Sequence, residues 1–380
     1  MTVAKNTDAI EIAGAGPAGL AAAITLVRAG RQVVVHETQK EVGHRFGGDF
    51  QGLDNWTSKE DVLTTLQGLG LSTHFTAMPC CDGTVFNAAG KAYEIKSDEP
   101  LFYLIERGPG PGSLDSALLD QARSMGVEVR FNSRLRHMAG DGILAAGPRA
   151  ADAIAVGYHF DTDMEDGYWA ICDNQLAPQG YAYLLVMNGK GTLKSCMFSG
   201  FKQEKLYVQR TVDRFQQLVG LKMENPQPHG GSGNFRIPQS AYSGLHPLVG
   251  EQAGFQDTLW GFGMRLAISS GVLAAQSLLT GENYDKLWQQ QLKPQMETSV
   301  INRALYSLVG DYGGYDWFLR RLVASPGLRA SLWRQYHPSL FKRLLGPWAR
   351  QRYESRRKDI TCDHIDCHCI WCRGACCAHD

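Results

Sequence analysis

The segment running from Ala9 to Glu37 does most to limit what this chain can become. Ala9 to Ile12 is a short apolar run suited to a buried strand, and it leads into Gly14, Gly16 and Gly19, spaced G-x-G-x-x-G. The helix-forming run LAAAITLVRAG follows and closes at Gly30; the β-branched run QVVVHE then ends at Glu37. Strand, glycine turn, helix and strand in that order make a βαβ unit, which commits the chain to a parallel sheet covered by helices. Gly14 permits the tight turn out of the strand, Gly16 lets the backbone approach a pyrophosphate, and Gly19 lets helix and strand pack closely. The helix N-terminus offers free N–H groups and a positive dipole end to phosphates. Glu37 stands where a carboxylate accepts hydrogen bonds from a ribose diol. A glycine triplet alone is a weak signal, but in this setting it marks a dinucleotide site.

The 380 residues leave room for one large or two moderate domains. Lys and Arg balance Asp and Glu at 38 each, so bulk charge gives no reason to expect a nucleic-acid partner. No segment approaches the roughly 20 apolar residues of a membrane-spanning helix. The N-terminal stretch MTVAKNTDAIEIAGAGPAG lacks the pattern of a signal peptide, so the cytoplasm is the expected compartment. No second strand–GxGxxG–helix unit follows, so no separate nicotinamide domain is expected.

Further stretches carry a family likeness. Pro17 and Ala18 complete the string GAGPAG, and a glycine-rich loop, GHRFGGDFQGLDNW, runs from Gly43 to Trp56. YLIERGPGPGSLDSALLDQARSMGVEVRF reads as strand, turn and helix, with Ser113 as N-cap and Gly126 as helix stop. GILAAGPRAADAI follows, then GYAYLLVMNGKGTLKSCMF, a hairpin turning at Asn188-Gly189. The last is PLVGEQAGFQDTLWGFGMRLAISSGVLAAQSLL from Pro247. Together they resemble the geranylgeranyl reductase family of FAD-dependent oxidoreductases, within the p-hydroxybenzoate-hydroxylase-like flavoproteins. The likeness covers roughly Ala9 to Leu279.

That resemblance implies an α/β fold: a Rossmann-like FAD-binding domain (1–75, 100–157, 240–282) with an inserted antiparallel-sheet substrate domain (76–99, 158–239). A helical C-terminal region (283–358) and a Cys-rich tail (359–380) complete the chain. It implies cofactor contacts at Gly14, Gly16, Pro17, Ala18, Gly19, Glu37, Arg45, Arg107, Gly147, Gly250, Glu251 and Gly263. A strand is expected to end at Gly250, followed by an acid for the ribityl chain. The family has Gly-Asp there, whereas this chain has Gly250-Glu251, whose acid is one methylene longer. The helix near Gly261 to Met264 is expected to aim its N-terminus at the flavin, where its dipole favours the negative charge of the reduced form. The implied activity is an NAD(P)H-linked reductase acting on a hydrophobic, isoprenoid-like substrate. A flavoprotein electron carrier serving an iron–sulfur or other protein partner, and an FAD-dependent monooxygenase, stand as alternatives.

Two segments lie beyond the likeness. From Tyr315 the chain mixes Trp, Phe and Leu with Arg and Lys, and Pro326, Pro338 and Pro347 divide it into short helices. Such helices cap a domain, lie on an anionic membrane surface, or dock an acidic protein. The tail CDHIDCHCIWCRGACC holds Cys362, Cys367, Cys369, Cys372, Cys376 and Cys377. In a cytoplasmic protein such thiols point to metal or redox chemistry ahead of structural disulfides. Only Cys369 and Cys372 stand as C-x-x-C, so zinc, an iron–sulfur cluster, a dithiol relay and an unliganded tail remain open.

Overall fold

The computed structural model describes residues 9–148, 151–235, 237–309 and 315–353. A four-stranded parallel sheet runs in the order Glu128–Arg130, Val33–His36, Ile10–Ala13, Gly142–Leu144. Its central strands are short and apolar because both faces are covered. The helix Pro17–Arg28 lies against this sheet and against the helix Met264–Thr280, with Leu20, Ile24, Ile268 and Val272 buried between them. The two helices approach so closely that a Cβ at Gly271 would stand 2.0 Å from the Ala18 carbonyl oxygen.

Besides a two-stranded pair of Tyr242–Ser243 and His246–Pro247, two further sheets build the core. Phe50–Asp54, Phe102–Glu106 and Ala77–Cys80 form a three-stranded antiparallel sheet. Seven strands form the large sheet, in the order Glu224–Gly233, Ala153–Asp161, Lys190–Met197, Tyr181–Met187, Gly167–Cys172, Asp82–Asn87, Ala92–Lys96. All its neighbours are antiparallel except Gly167–Cys172 beside Asp82–Asn87. The hairpin turns at Asn188 and Gly189, both left-handed at φ 54° and 73°, the geometry an Asn-Gly two-residue turn supplies. The helix Glu204–Val219 covers one face of the large sheet through Phe215 and Val212.

Two local expectations need correction. The strand expected to end at Gly250 shrinks to His246–Pro247, with Leu248 bridging to Leu144; Gly250 then turns at φ +59° into a short 3-10 turn, which ends the ladder. The buried Cys80 ends the strand Ala77–Cys80, and burial pushes its thiol up to about 12. Pro347 does not divide the C-terminal region: it lies inside the helix Leu340–Tyr353, which Ala349 anchors in a cluster with Val300, Ile301 and Ala304. There tertiary packing outweighs a missing N–H.

The helices Lys293–Val309, Tyr315–Val323 and Leu328–Gln335 wall one end of the molecule. Arg329 staples them to the body. Its guanidinium donates to the carbonyls of Asn55 (2.8 Å), Lys59 (3.1 Å), Glu60 (3.2 Å) and Ser58 (3.3 Å), and pairs with Glu99 at 3.0 Å. Among the described residues, no helix is long and apolar enough to cross a membrane.

Candidate cofactor and substrate cleft

One continuous cleft of about 1850 Å³ runs from the crest of the parallel sheet to the C-terminal helices. Sites for a single small ligand span about 300–1,000 Å³, so this one has room for two molecules. Its first end is glycine-rich and polar; its second is aromatic and aliphatic, with Trp169, Tyr181, Trp260, Phe262, Leu319 and Leu332 in its walls.

The glycine turn builds the first end as its spacing requires. Gly14 sits at φ +114°, and a Cβ there would stand 2.2 Å from the Ala145 oxygen. A Cβ on Gly19 would stand 2.0 Å from the Gly14 oxygen. Gly16 differs: nothing lies within 4 Å of the position its Cβ would take. That open space lies in the cleft beside Pro17 and Ala18, at a helix N-terminus with no side-chain cap. A second helix, Met264–Thr280, begins at Gly263 in the same cleft, also without a side-chain cap. Two uncapped N-termini facing one cleft make a strong attraction for anionic groups.

The acids and arginines divide into three settings. Glu37 accepts from Ala15 N at 2.9 Å and from Gln39 N at 2.9 Å, which fixes its carboxylate beside the glycine turn. Arg45 and Glu251 reach across the cleft to each other, Nη2 to Oε2 at 2.7 Å. Arg107 is buried and forked onto Asp115 at 2.7 and 2.9 Å, with Nη1 donating to Gln51 at 3.0 Å. The guanidinium also lies 4.1 Å from the Phe46 ring centre, so much of its bonding capacity is spent holding the loop. Gly147 and Gly250 line the same cleft. All twelve candidate cofactor residues therefore border this region or support it, though Arg107 does so mainly as a structural tie. The six tail cysteines lie outside the described residues.

The groups at this end fit a flavin dinucleotide. The open Cβ position at Gly16 leaves space for a close backbone approach, the uncapped helix ends suit phosphate, and Glu37 suits a diol. Gln256, which also lines the cleft, keeps a buried Oε1 with no hydrogen-bond partner among the described residues. A ring N–H is the kind of donor that would satisfy it.

A polar cluster borders the cleft through Asp49 and His229, and the sequence reading missed it. Asp49 Oδ1 lies 2.8 Å from His159 Nε2, and Lys194 Nζ lies 2.6 Å from His229 Nδ1. The two imidazoles stack at 4.2 Å. Burial alone would raise Asp49, but the Lys194 ammonium and the His159 N–H outweigh it and hold the carboxyl at about 2. Burial lowers Lys194 to about 8, with Asp49 opposing. Burial, then Lys194, press His229 down to about 4. These four residues come from four separate segments. The available signal was a lysine in the interior of a strand whose neighbours are small or apolar, GTLKSCM.

Comparison with known proteins agrees with this architecture. No protein-family model matches the chain. It is 22% identical to a digeranylgeranylglycerophospholipid reductase of Haloferax volcanii, over 84% of this chain and 90% of the relative. It is 23% identical to the protein of that name from Methanosarcina mazei, over 78% and 84% respectively. Among solved structures, a geranylgeranyl bacteriochlorophyll reductase-like protein of Thermoplasma acidophilum superposes with a TM-score of 0.68 at 16% identity, covering 90% of this chain and 98% of that one. The flavin-dependent brominase Bmp2 superposes with a TM-score of 0.65 at 13% identity, covering 90% and 99%. In sequence the chain is thus similar to curated digeranylgeranylglycerophospholipid reductases, and in fold it is similar to flavin-dependent oxidoreductases.

Proposed function

We propose that the protein is an FAD-dependent reductase that saturates a double bond in a hydrophobic, isoprenoid-like substrate. The observation that carries this reading is the single cleft, polar and glycine-lined at one end and aromatic at the other. Gly14, Gly16 and Gly19 with the helix end at Pro17 would hold the pyrophosphate, Glu37 the adenosine ribose, and Glu251 the ribityl chain. The Met264–Thr280 helix end would face the flavin ring. When bound, FAD supplies hydride chemistry. The chain's own part is to bind, orient and exclude water. Tyr181, Trp260 and Phe262 give the substrate an apolar surface beside the cofactor region, and burial of a long aliphatic chain there contributes about 25 cal/mol per Å².

With no second dinucleotide fingerprint in the sequence, the same reading draws electrons from NAD(P)H binding transiently at the flavin face, or from a protein donor. Contact with a lipid surface is favoured by the exposed Trp317, Leu340, Phe341 and Leu344, which stand on the same helices as Arg320, Arg321 and Arg343.

The test is a purified, FAD-loaded protein reduced anaerobically with NADPH and then offered a prenyl lipid, air or a ferredoxin-like acceptor. Reoxidation by the prenyl lipid with loss of a double bond is the expected result. Rapid reoxidation by air with hydroxylated product would replace the reductase with a monooxygenase, and reoxidation by the protein acceptor alone would replace it with an electron carrier.

A further inference from the structure

The cluster of Asp49, His159, Lys194 and His229 is not among the cofactor contacts described above, yet Asp49 and His229 line the cleft and its hydrogen bonds are ordered. His229 Nε2 lies 3.0 Å from the Arg45 carbonyl oxygen, which only accepts, so Nε2 carries the hydrogen. Nδ1 is therefore the acceptor, and Lys194 Nζ donates to it at 2.6 Å. The same logic puts a hydrogen on His159 Nε2, 2.8 Å from the Asp49 carboxylate.

Ligand atoms of Asp49, His159 and His229 lie within 4.8 Å of one another, a spacing that suits a metal ion. Lys194 Nζ stands among them, 3.4 Å from His159 Nε2 and 3.8 Å from Asp49 Oδ1. The protein's own cation fills that focus, so these three are not metal ligands in this arrangement.

Lys194 is 1% exposed and does not line the cleft, whereas Asp49 and His229 do. Its neighbours are few. Asp49 faces it from the loop before Phe50–Asp54, His159 from Ala153–Asp161 and His229 from Glu224–Gly233. Tyr183 lies directly across the ladder, and burial holds its phenol protonated. Arg45 meets the cluster through its backbone carbonyl, and its side chain is paired with Glu251.

Resting on the flavin reading above, we propose that Lys194 and His229 form a proton-delivery pair for the reduction in the cleft. Lys194 stores the proton and His229 passes it on. The double bond takes a hydride from the reduced flavin at one carbon and the His229 Nε2 proton at the other. In the same exchange Lys194 Nζ gives its proton to His229 Nδ1; a cleft water then returns a proton to Nε2, and Nδ1 hands its own back to restore the ammonium. His229 is the group that meets the reacting centre, and Lys194 acts through it. Burial supports the assignment by bringing the lysine to about 8, where release near neutrality costs little.

The deciding measurements are made on FAD-loaded wild type and Lys194→Met, with loading checked first by absorbance. In 15N NMR from about pH 6 to 10, the wild-type His229 Nδ1 resonance should step near pH 8 as Lys194 loses its proton, and Lys194→Met should lack that step. In single turnover, the prereduced wild type should saturate a prenyl lipid more slowly as pH rises through about 8, and Lys194→Met should be at least tenfold slower below that pH with no such fall. FAD-loaded wild type with neither the step nor the fall overturns the proposal by itself, even if the variant fails to fold, and a step or fall that survives in Lys194→Met does the same. A wild type that takes up no FAD overturns the flavin reading first and this proposal with it.

Discussion

Gly16 and Gly19 stand three residues apart and answer to different partners. A methyl group on Gly19 meets the Gly14 carbonyl oxygen at 2.0 Å, so Gly19→Ala forces the turn to move and destabilises by about 1–3 kcal/mol. A methyl group on Gly16 meets no protein atom within 4 Å. Gly16→Ala is therefore expected to keep the stability of the wild type in urea unfolding while its FAD loading falls at least tenfold. Equal FAD loading in the two proteins would show that the open space at Gly16 is not a cofactor cradle. Asp152 poses a residue-scale question of charge. Burial pushes its carboxyl up to about 7, opposed by a hydrogen bond from Phe235 N at 2.8 Å. The folded state holds that proton more tightly than the unfolded one, so the linked stability is fully present below the ordinary carboxylate range and is lost as pH rises through about 7. Asp152→Asn keeps an acceptor without the charge. Its gain in melting temperature over the wild type should be larger at pH 8 than at pH 5, and equal gains would refute the assignment.

At the scale of elements, legibility followed locality. The strand–turn–helix unit, the Ser113 cap and the Asn188-Gly189 turn could be read from the chain because each is fixed by residues a few positions apart. Ser113 accepts from Ser116 N at 3.1 Å, as an N-cap should. The strand before Gly250 and the helix through Pro347 were misjudged because neighbours distant in sequence decide them. The proton cluster was invisible for the same reason: Asp49, His159, Lys194 and His229 meet only through the register of the large sheet and one loop beside it. Arg329 gives the element scale its prediction. This one side chain supplies donors to four carbonyls of the segment from Asn55 to Glu60, so Arg329→Met leaves buried acceptors unpaired. A loss of about 2–3 kcal/mol is expected. Hydrogen exchange should locate it in Tyr315–Gln335 and the Asn55–Glu60 segment, with the parallel sheet unchanged; a uniform rise in exchange would count against a local staple.

Across the whole molecule, the cleft lies between the parallel sheet on one side and the large sheet and C-terminal helices on the other, so a molecule bound there ties separate parts together. A ligand that binds only the folded state at about 100 times its dissociation constant adds about 2.7 kcal/mol. The residues proposed to hold FAD all precede Thr280. A chain ended after Lys358 is accordingly expected to bind FAD with the affinity of the full chain in a fluorescence titration. A tenfold weaker titration would make the cysteine-rich tail part of the cofactor site.

The Arg45–Glu251 bridge has a consequence in time as well as in space. It joins two surfaces between which the ribityl and phosphate portions of a cofactor would pass, and Arg45 is 46% exposed while Glu251 is 15% exposed. An ion pair open to solvent holds by only about 0.2–1 kcal/mol and weakens with salt. It therefore works as a light latch. On the proposed reading, moderate salt would loosen it and hasten entry of the cofactor, while the same salt would screen the helix ends proposed to retain it. Arrival and residence thus respond to ionic strength in opposite directions.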